Sequence, residues 1–148
     1  MSRGNSGPSR PTELPTQSSQ LRLTLEAPAR ARLGELVPLV FTVANPGKSP
    51  VTLYLMGRDP TADFQVTDDR GRKVWSQLRG RVGMAPLRLL PLEGGQRLSF
   101  RRVWNQRSDT GKPVPPGTYL IRAVLLTDDP GGLASPGARL RIERPSGG

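Results

Sequence analysis

The sequence contains neither cysteine nor histidine among its 148 residues. Without cysteine the chain can form no disulfide framework and can perform no thiol chemistry. Without histidine it also lacks the most common general base, and the two absences together remove the usual nucleophile–base pairs and the soft metal ligands. These absences disfavour most classes of enzyme, and we expect a non-enzymatic protein that needs no metal and no cofactor.

Lysine and aromatic residues are scarce. Lys48, Lys73 and Lys112 are the only lysines, so the net charge of +10 comes almost entirely from arginine. A high positive charge suggests an anionic partner, but the arginines form no dense run along the sequence, and few aromatic residues alternate with them. We therefore favour solvated strand faces over a nucleic-acid site. Anion or nucleic-acid binding stays as a third interpretation, which predicts affinity that falls steeply as salt rises.

Long hydrophobic runs are also missing from the sequence. No apolar segment approaches the length of a membrane-spanning helix, and no hydrophobic signal segment follows Met1. We expect a cytoplasmic protein, or an exported one if a leader was removed before Met1. Residues 1–20 are rich in serine and proline and nearly devoid of apolar side chains, which predicts a disordered N-terminal tail. Residues 145–148 predict a second disordered tail, so one domain should span residues 21–144.

Short segments of alternating apolar and polar residues fill this domain. Leu21, Leu23 and Leu25 alternate with polar residues, which is the pattern of a half-buried strand. No window shows sustained helical periodicity. The pattern predicts an all-β, Ig-like antiparallel β-sandwich of Greek-key type with about eight strands. The segments that predict strands are residues 21–26, 37–43, 51–56, 64–68, 74–75, 87–90, 98–104, 118–126 and 140–142.

The segment Thr118–Leu126 follows a stiff Val-Pro-Pro-Gly turn at residues 114–117. Its residues are apolar almost throughout, with Arg122 as the polar residue in the middle, and this predicts a central strand that is buried on both faces. Tyr119 at its start suggests the tyrosine corner of Ig-like domains, in which the ring packs inward and the hydroxyl bonds to a neighbouring loop. Residues 27–34, by contrast, predict only a turn.

Acidic pairs and tryptophans are the remaining candidates for function. Asp68-Asp69 predicts a hairpin turn, and Asp128-Asp129 opens a loop. Neither pair belongs to the spaced series of acidic residues that a calcium site needs. Trp75 and Trp104 stand in register with apolar strand neighbours, so we expect both rings in the core rather than in a binding site.

The order of short motifs is more specific than any one of them. The motifs are Gly34-Glu35, a Val-x-Leu-x-Phe-x-Val-x-Asn strand ending at Asn45, Pro50–Leu53, Asp63-Phe64 with Val66 and Asp68, Val74-Trp75, Gly95, Leu98, Phe100, Trp104, and the closing segment 111–119, GKPVPPGTY. In this order and spacing the chain resembles the intracellular proteinase inhibitor family, the BsuPI type, over residues 21–143. The resemblance implies a non-enzymatic Ig-like domain that inhibits a serine proteinase of the subtilisin-like class in the cytoplasm. We expect the protein to be a monomer.

A surface loop would make the contact with such a proteinase. Three predicted loops are long enough: Gln77–Pro86, Asn105–Pro116 and Asp128–Gly137. We rank the first loop highest, because strands on both sides should anchor it to the core, and the second loop next. The candidate contact residues are Leu78, Arg79, Arg81 and Met84 in the first loop and Arg107 and Lys112 in the second. The alternative function is a protein-interaction or envelope-associated Ig-like module with no proteinase target.

Overall fold

The computed structural model describes residues 20–56, 61–78, 87–128 and 132–145. The two predicted tails lie almost entirely outside these residues. No helix among the described residues is long and apolar enough to cross a membrane. This part of the chain forms eleven strands: β1 (Arg22–Glu26), β2 (Arg30–Arg32), β3 (Val37–Ala44), β4 (Val51–Met56), β5 (Ala62–Asp68), β6 (Lys73–Ser76), β7 (Leu87–Leu92), β8 (Arg97–Trp104), β9 (Gly117–Leu125), β10 (Leu133–Ala134) and β11 (Ala138–Glu143).

The strands form a sandwich of two main sheets. The smaller sheet has the order β1-β3-β8, and the larger sheet has the order β2-β11-β9-β5-β6, with β10 added beside β9. β4 and β7 form a separate antiparallel ribbon. The pairs β3–β8 and β5–β9 join strands that are far apart in sequence, which is the neighbour relation of a Greek key. The predicted antiparallel Ig-like sandwich is confirmed.

The core lies between the inner faces of the two sheets. Val37, Leu39, Phe41 and Val43 of β3 are all completely buried, as the period of two predicts. Phe41 meets Phe64 of the larger sheet edge to face, with the ring centroids 6.4 Å apart. Each such side chain contributes roughly 1.5–3 kcal/mol through burial, so the alternating apolar positions are a large favourable contribution to folding.

One buried amide joins the smaller sheet to the ribbon. Asn45, at the end of β3, is 2% exposed. Its Nδ2 donates hydrogen bonds to the carbonyl oxygens of Ser49 and Leu92, at 2.8 and 2.9 Å. Its Oδ1 accepts one from the backbone N–H of Gly47 at 3.0 Å. The turn that the sequence predicts after β3 is therefore held by side-chain bonds that reach a strand 47 residues away.

Strand β9 is central, as predicted, but only one of its faces is buried. Tyr119 and Ile121 lie in the core, whereas Leu120 is 37% exposed and Arg122 is exposed. The prediction of burial on both faces was wrong. Leu120 and Val124 are apolar but point to the outer face of the sheet, and no second layer of described residues covers that face.

Two short strands were not predicted. Arg30–Arg32 lies inside the predicted turn 27–34, yet it pairs in parallel with β11, with Ala31 opposite Ile142. Leu133–Ala134 lies inside the predicted loop Asp128–Gly137 and pairs with the end of β9. Each strand is too short to show a period, so tertiary pairing alone defines it.

We predict that Trp104→Ala lowers the free energy of unfolding by about 3–5 kcal/mol, the usual loss for a large buried aromatic residue. Trp104 is completely buried, so the deletion leaves a cavity. A urea unfolding series should show this loss. Val103→Ala is the control, because Val103 is 56% exposed and should lose less than about 1 kcal/mol. Equal small losses in both variants would contradict the packing described here.

Candidate functional site

The loop Asn105–Pro116, between β8 and β9, folds back on itself as a closed hairpin. Arg107 and Pro113 form an isolated β-bridge. The backbone N–H of Ser108 donates to the carbonyl oxygen of Lys112 at 2.8 Å. We call this segment the 105–116 hairpin. Its own backbone bonds fix its shape, so it differs from the extended loop that a substrate-like inhibitor would present.

Gln106 fastens this hairpin to the body of the domain. Its side chain is 2% exposed, and its Nε2 donates to the carbonyl oxygens of Arg32 and Glu35 at 2.8 and 2.9 Å. Its Oε1 accepts a hydrogen bond from Gly34 N–H at 2.9 Å. Its φ of 62° is a left-handed conformation, which is unusual for a residue with a side chain. Three hydrogen bonds to this one side-chain amide hold the backbone of Gln106 in a left-handed conformation that it would otherwise leave.

Asp109 attaches the hairpin to the open edge of β6. Its backbone N–H donates to the carbonyl oxygen of Val74 at 3.0 Å. Its Oδ1 accepts from the backbone N–H of Ser76 at 3.0 Å. The hairpin thus occupies an edge that could otherwise pair with another chain.

Three aromatic rings lie beneath the hairpin. Trp104 stacks on Trp75 with the centroids 6.0 Å apart, and meets Tyr119 edge to face at 6.0 Å. The indole N–H of Trp104 donates to the carbonyl oxygen of Arg107 at 2.9 Å. The hydroxyl of Tyr119 donates to the carbonyl oxygen of Pro115. The predicted tyrosine corner is confirmed, and the core placement of Trp104 is confirmed, with Trp75 half-buried against it.

A cleft of about 530 Å³ separates the hairpin from the turn between β5 and β6. Val74, Val114 and Tyr119 contribute apolar surface to its lining, and Asp69 and Thr110 contribute polar groups. About half of the lining residues are polar or charged, so the cleft is of mixed character, with apolar contact area and several groups that could fix the orientation of a partner. The cleft and the exposed tip of the hairpin form one continuous candidate site at this end of the sandwich.

Asp68 fixes the turn on the far side of the cleft. Its Oδ1 accepts hydrogen bonds from the backbone N–H groups of Arg70 and Arg72, each at 2.9 Å. Its Oδ2 pairs with the Arg72 guanidinium at 2.9 Å. These bonds, with the backbone bond from Arg72 first, hold the pKa of the Asp68 carboxyl below its usual value. The predicted Asp-rich hairpin turn is confirmed.

Burial, and then the negative charges of Asp68 and Asp69, raise the pKa of the Tyr119 hydroxyl above its usual value. Both causes disfavour the phenolate. Tyr119 therefore stays protonated and keeps its hydrogen bond to Pro115 through the neutral pH range.

The predicted contact residues fall into two groups. Arg107 and Lys112 are both exposed on the 105–116 hairpin. Leu78 is half-buried, and its backbone N–H donates to Asp63 Oδ1 at 3.0 Å. The other three predicted residues, Arg79, Arg81 and Met84, lie outside the described residues. The start of their loop is nonetheless next to the hairpin, because Ser76 bonds to Asp109.

Sequence reasoning missed the two residues that hold the hairpin in place. Gln106 and Asp109 are polar residues within a predicted loop, where exposed side chains are the normal expectation. Their partners lie 71–74 and 33 residues away. No local pattern could have indicated either role.

A protein-family model described as BsuPI, intracellular proteinase inhibitor, matches residues 24–130 of the 148-residue chain. The chain belongs to this family. The match covers the 105–116 hairpin, the turn beyond the cleft and every predicted contact residue. No curated protein matches the chain at a significant level.

The solved structures to which the chain is similar have low sequence identity to it. The alkylpurine DNA glycosylase of Pseudomonas fluorescens is 19% identical over 84% of this chain and 30% of its own, with a TM-score of 0.47. A CARDB domain from Pyrococcus furiosus is 13% identical over 84% of this chain and 94% of its own, with a TM-score of 0.45. A β-glucosidase of Erythrobacter marinus is 16% identical over 82% of this chain and 15% of its own, with a TM-score of 0.46. These matches carry no argument about function.

We predict that Gln106→Ala costs about 1.5–4.5 kcal/mol of folding free energy, because it removes three part-buried hydrogen bonds, each worth roughly 0.5–1.5 kcal/mol. Gln106→Gly loses the same bonds but removes the strain at φ 62°, so it should be about 0.5–1 kcal/mol more stable than the alanine variant. Urea unfolding of both variants measures the difference. If the alanine variant is the more stable, the left-handed conformation is not imposed by the fold.

We also predict that Tyr119 makes the fold sensitive to alkaline pH. A raised pKa adds stability that is fully present below the unfolded value of about 10 and is lost as pH rises through the folded value. Tyr119→Phe should lose about 0.5–1.5 kcal/mol at pH 8 with its hydrogen bond, and should lose less further stability above pH 10 than the wild type. Tyr54→Phe is the control and should keep the wild-type alkaline loss, because Tyr54 is 40% exposed.

Proposed function

We propose that this protein inhibits a serine proteinase of the subtilisin-like class inside the cell, and that the 105–116 hairpin with its neighbouring cleft makes the contact. Membership of the BsuPI family supports inhibition as the activity. The observation that carries the choice of surface is the bracing of the hairpin by Gln106, Asp109 and Trp104. The proposal assigns no catalytic role to any residue.

Rigidity is the physical reason why a braced loop suits an inhibitor. Ordering a flexible loop on binding costs about 0.5–1.5 kcal/mol for each immobilised side chain, and this cost reduces the affinity. Here the hairpin has its order before binding. The side chains of Trp104 and Tyr119 bond to its backbone, and its own Gln106 and Asp109 side chains bond to backbone groups of the body of the domain. The domain reaches this order without the disulfides on which many small secreted inhibitors depend.

The bonding of Lys112 argues against a substrate-like mode at this position. A substrate-like loop offers a peptide carbonyl to the oxyanion hole of the proteinase. The carbonyl oxygen of Lys112 already accepts the N–H of Ser108 at 2.8 Å, and the closed turn does not lie extended. We infer that the hairpin blocks the proteinase with side chains of its tip and is not bound as a substrate.

The cleft gives the proteinase a place to insert a side chain of its own. Val114 and Tyr119 provide apolar contact area, and Lys73 and Asp69 provide charges of both signs on its wall. Interfaces commonly combine an apolar centre with a polar rim. The exposed tip residues Thr110 and Lys112 stand beside this cleft, so protrusion and cleft would contact the proteinase together.

The loop Gln77–Pro86 remains a second proposed contact. Arg79, Arg81 and Met84 stay predictions from the sequence. The end of β6, from which this loop starts, is bonded to Asp109 of the hairpin through Ser76. Energies at interfaces concentrate in a few residues, so the two contacts can be separated by mutation.

The test replaces the hairpin tip and measures inhibition of a subtilisin-type proteinase with a chromogenic peptide substrate. Thr110→Glu/Lys112→Glu should weaken inhibition at least tenfold, which is about 1.4 kcal/mol. The matched control, Lys48→Glu/Thr52→Glu, makes the same charge change at exposed positions near the opposite end of β3, and should inhibit as the wild type does. Both variants should keep the wild-type melting temperature.

A third variant, Arg79→Ser/Arg81→Ser/Met84→Ser, tests the other loop and keeps the half-buried Leu78. If this variant loses inhibition while the tip variant keeps it, the hairpin is not the contact. If the wild-type protein inhibits no member of a panel of serine proteinases, the proposal fails, and the interaction-module alternative takes its place.

A further inference from the structure

The outer face of the larger sheet carries a concentration of positive charge. Its cationic residues are Arg30 and Arg32 on β2, Arg139 and Arg141 on β11, Arg122 on β9 and Lys73 on β6, and all six are exposed. We call this surface the arginine face. Among the described residues of these strands, Glu143 and Asp63 are the carboxylates on the same face; Glu143 pairs with Arg141 at 3.5 Å, and Asp63 is buried. Asp68 at the end of β5 and Asp69 in the turn after it line a pocket beside Arg139 at one end of the face, and Asp68 is paired with Arg72.

Strand pairing, and not sequence proximity, assembles this face. Arg141 lies opposite Arg30 across the β11–β2 pair, although 111 positions separate them in the chain. Arg139 lies opposite Leu120, which in turn lies opposite Thr67 and then Lys73. The sequence contains no basic run, which disfavours nucleic-acid binding. The sheet nevertheless brings arginines from distant positions onto one surface, so the missing run does not exclude a basic binding face.

The chemistry of the face fits phosphate groups. A guanidinium group offers a planar fork of N–H donors that matches phosphate oxygens, and five of the six cations are arginines. Neighbouring strands lie about 4.8 Å apart, and residues i and i+2 of a strand lie about 6.6 Å apart. The face therefore presents a two-dimensional array of cations, which suits a polyanion with closely spaced charges better than a single anion.

The shape of the face favours a duplex over a single strand. No aromatic residue lies on the outer side of the described strands of this face, so bases have nothing to stack on. No helix rises from these described strands to enter a groove, and their exposed side chains lie on a sheet face and not on a protruding ribbon, so the face suits contact with the phosphate backbone better than with base edges. We propose that the arginine face binds the phosphate backbone of duplex nucleic acid without sequence preference.

The outer face of the smaller sheet provides a matched comparison. It carries Arg22 on β1 and Arg97 and Arg101 on β8, with Glu26 near them. Because all three arginines are exposed, reversing them changes the net charge as much as reversing three arginines of the arginine face. A difference between the two reversals therefore reports position and not total charge.

The experiment measures the anisotropy of a fluorescein-labelled duplex of about 20 base pairs while the full chain is titrated at several salt concentrations. For four to five phosphate contacts, the wild-type affinity should fall about 100- to 1,000-fold between 50 and 200 mM salt. Arg30→Glu/Arg122→Glu/Arg139→Glu should bind at least tenfold more weakly than Arg22→Glu/Arg97→Glu/Arg101→Glu. Its salt slope should be flatter by about 2–3.

Circular dichroism and thermal melting establish that both variants are folded. Equal losses in the two variants would overturn the proposal, because binding would then follow net charge alone. The absence of an anisotropy change for the wild type at low salt would also overturn it. Unlabelled duplex, polyglutamate and vesicles of anionic lipid are then compared as competitors at equal concentrations of phosphate or carboxylate groups. If polyglutamate or the vesicles compete as well as the duplex does, the face is not selective for nucleic acid, and the duplex is rejected as its occupant.

Discussion

The packing of Trp104 between Trp75 and Tyr119 is the interaction on which both the core and the candidate site depend. Trp104 ends β8 inside the sandwich, completely buried, and its indole N–H bonds to the first turn of the 105–116 hairpin at Arg107. The same ring therefore closes the core and positions the loop above it. A change that loosens the ring would move the hairpin as well, so stability and binding are coupled at this end of the domain.

Gln106 and Tyr119 extend this coupling to the two sides of the hairpin. Gln106 bonds to the segment that enters β3, whereas the Tyr119 hydroxyl holds the segment that enters β9. Each of these bonds joins a side chain to a backbone carbonyl group that regular strand pairing does not satisfy. Polar groups that are removed from water need such partners. A β-sandwich without disulfides can therefore carry a rigid loop, since a few buried side-chain bonds replace the covalent constraint.

Local patterns predicted the long strands and the tyrosine corner, because their information lies within a few residues. The alternation over β3 and the Pro-Gly turn before Tyr119 each specify one structure. β2 and the role of Gln106 could not be predicted, since both depend on partners that only the folded chain brings near. The same limit applies to the site. Arg107 and Lys112 were correctly expected to be exposed on a loop. The closed hairpin, which makes a substrate-like contact through these residues unsuitable, was not predicted.

The charge of +10 has a different consequence on each surface. At the hairpin and cleft, Asp68, Asp69 and Asp109 lie among the basic groups, so the local charge is mixed and specificity must come from shape and a few side chains. On the arginine face the cations outnumber the nearby carboxylates of Glu143, Asp68 and Asp69, so long-range attraction to a polyanion would dominate there. Because salt screens the second kind of contact far more than the first, the two surfaces would differ in their sensitivity to ionic strength. Raising the salt concentration should leave the affinity of the hairpin for a proteinase nearly unchanged and should greatly weaken the binding of a polyanion to the arginine face. Ionic strength would therefore distinguish the two contacts of this single domain.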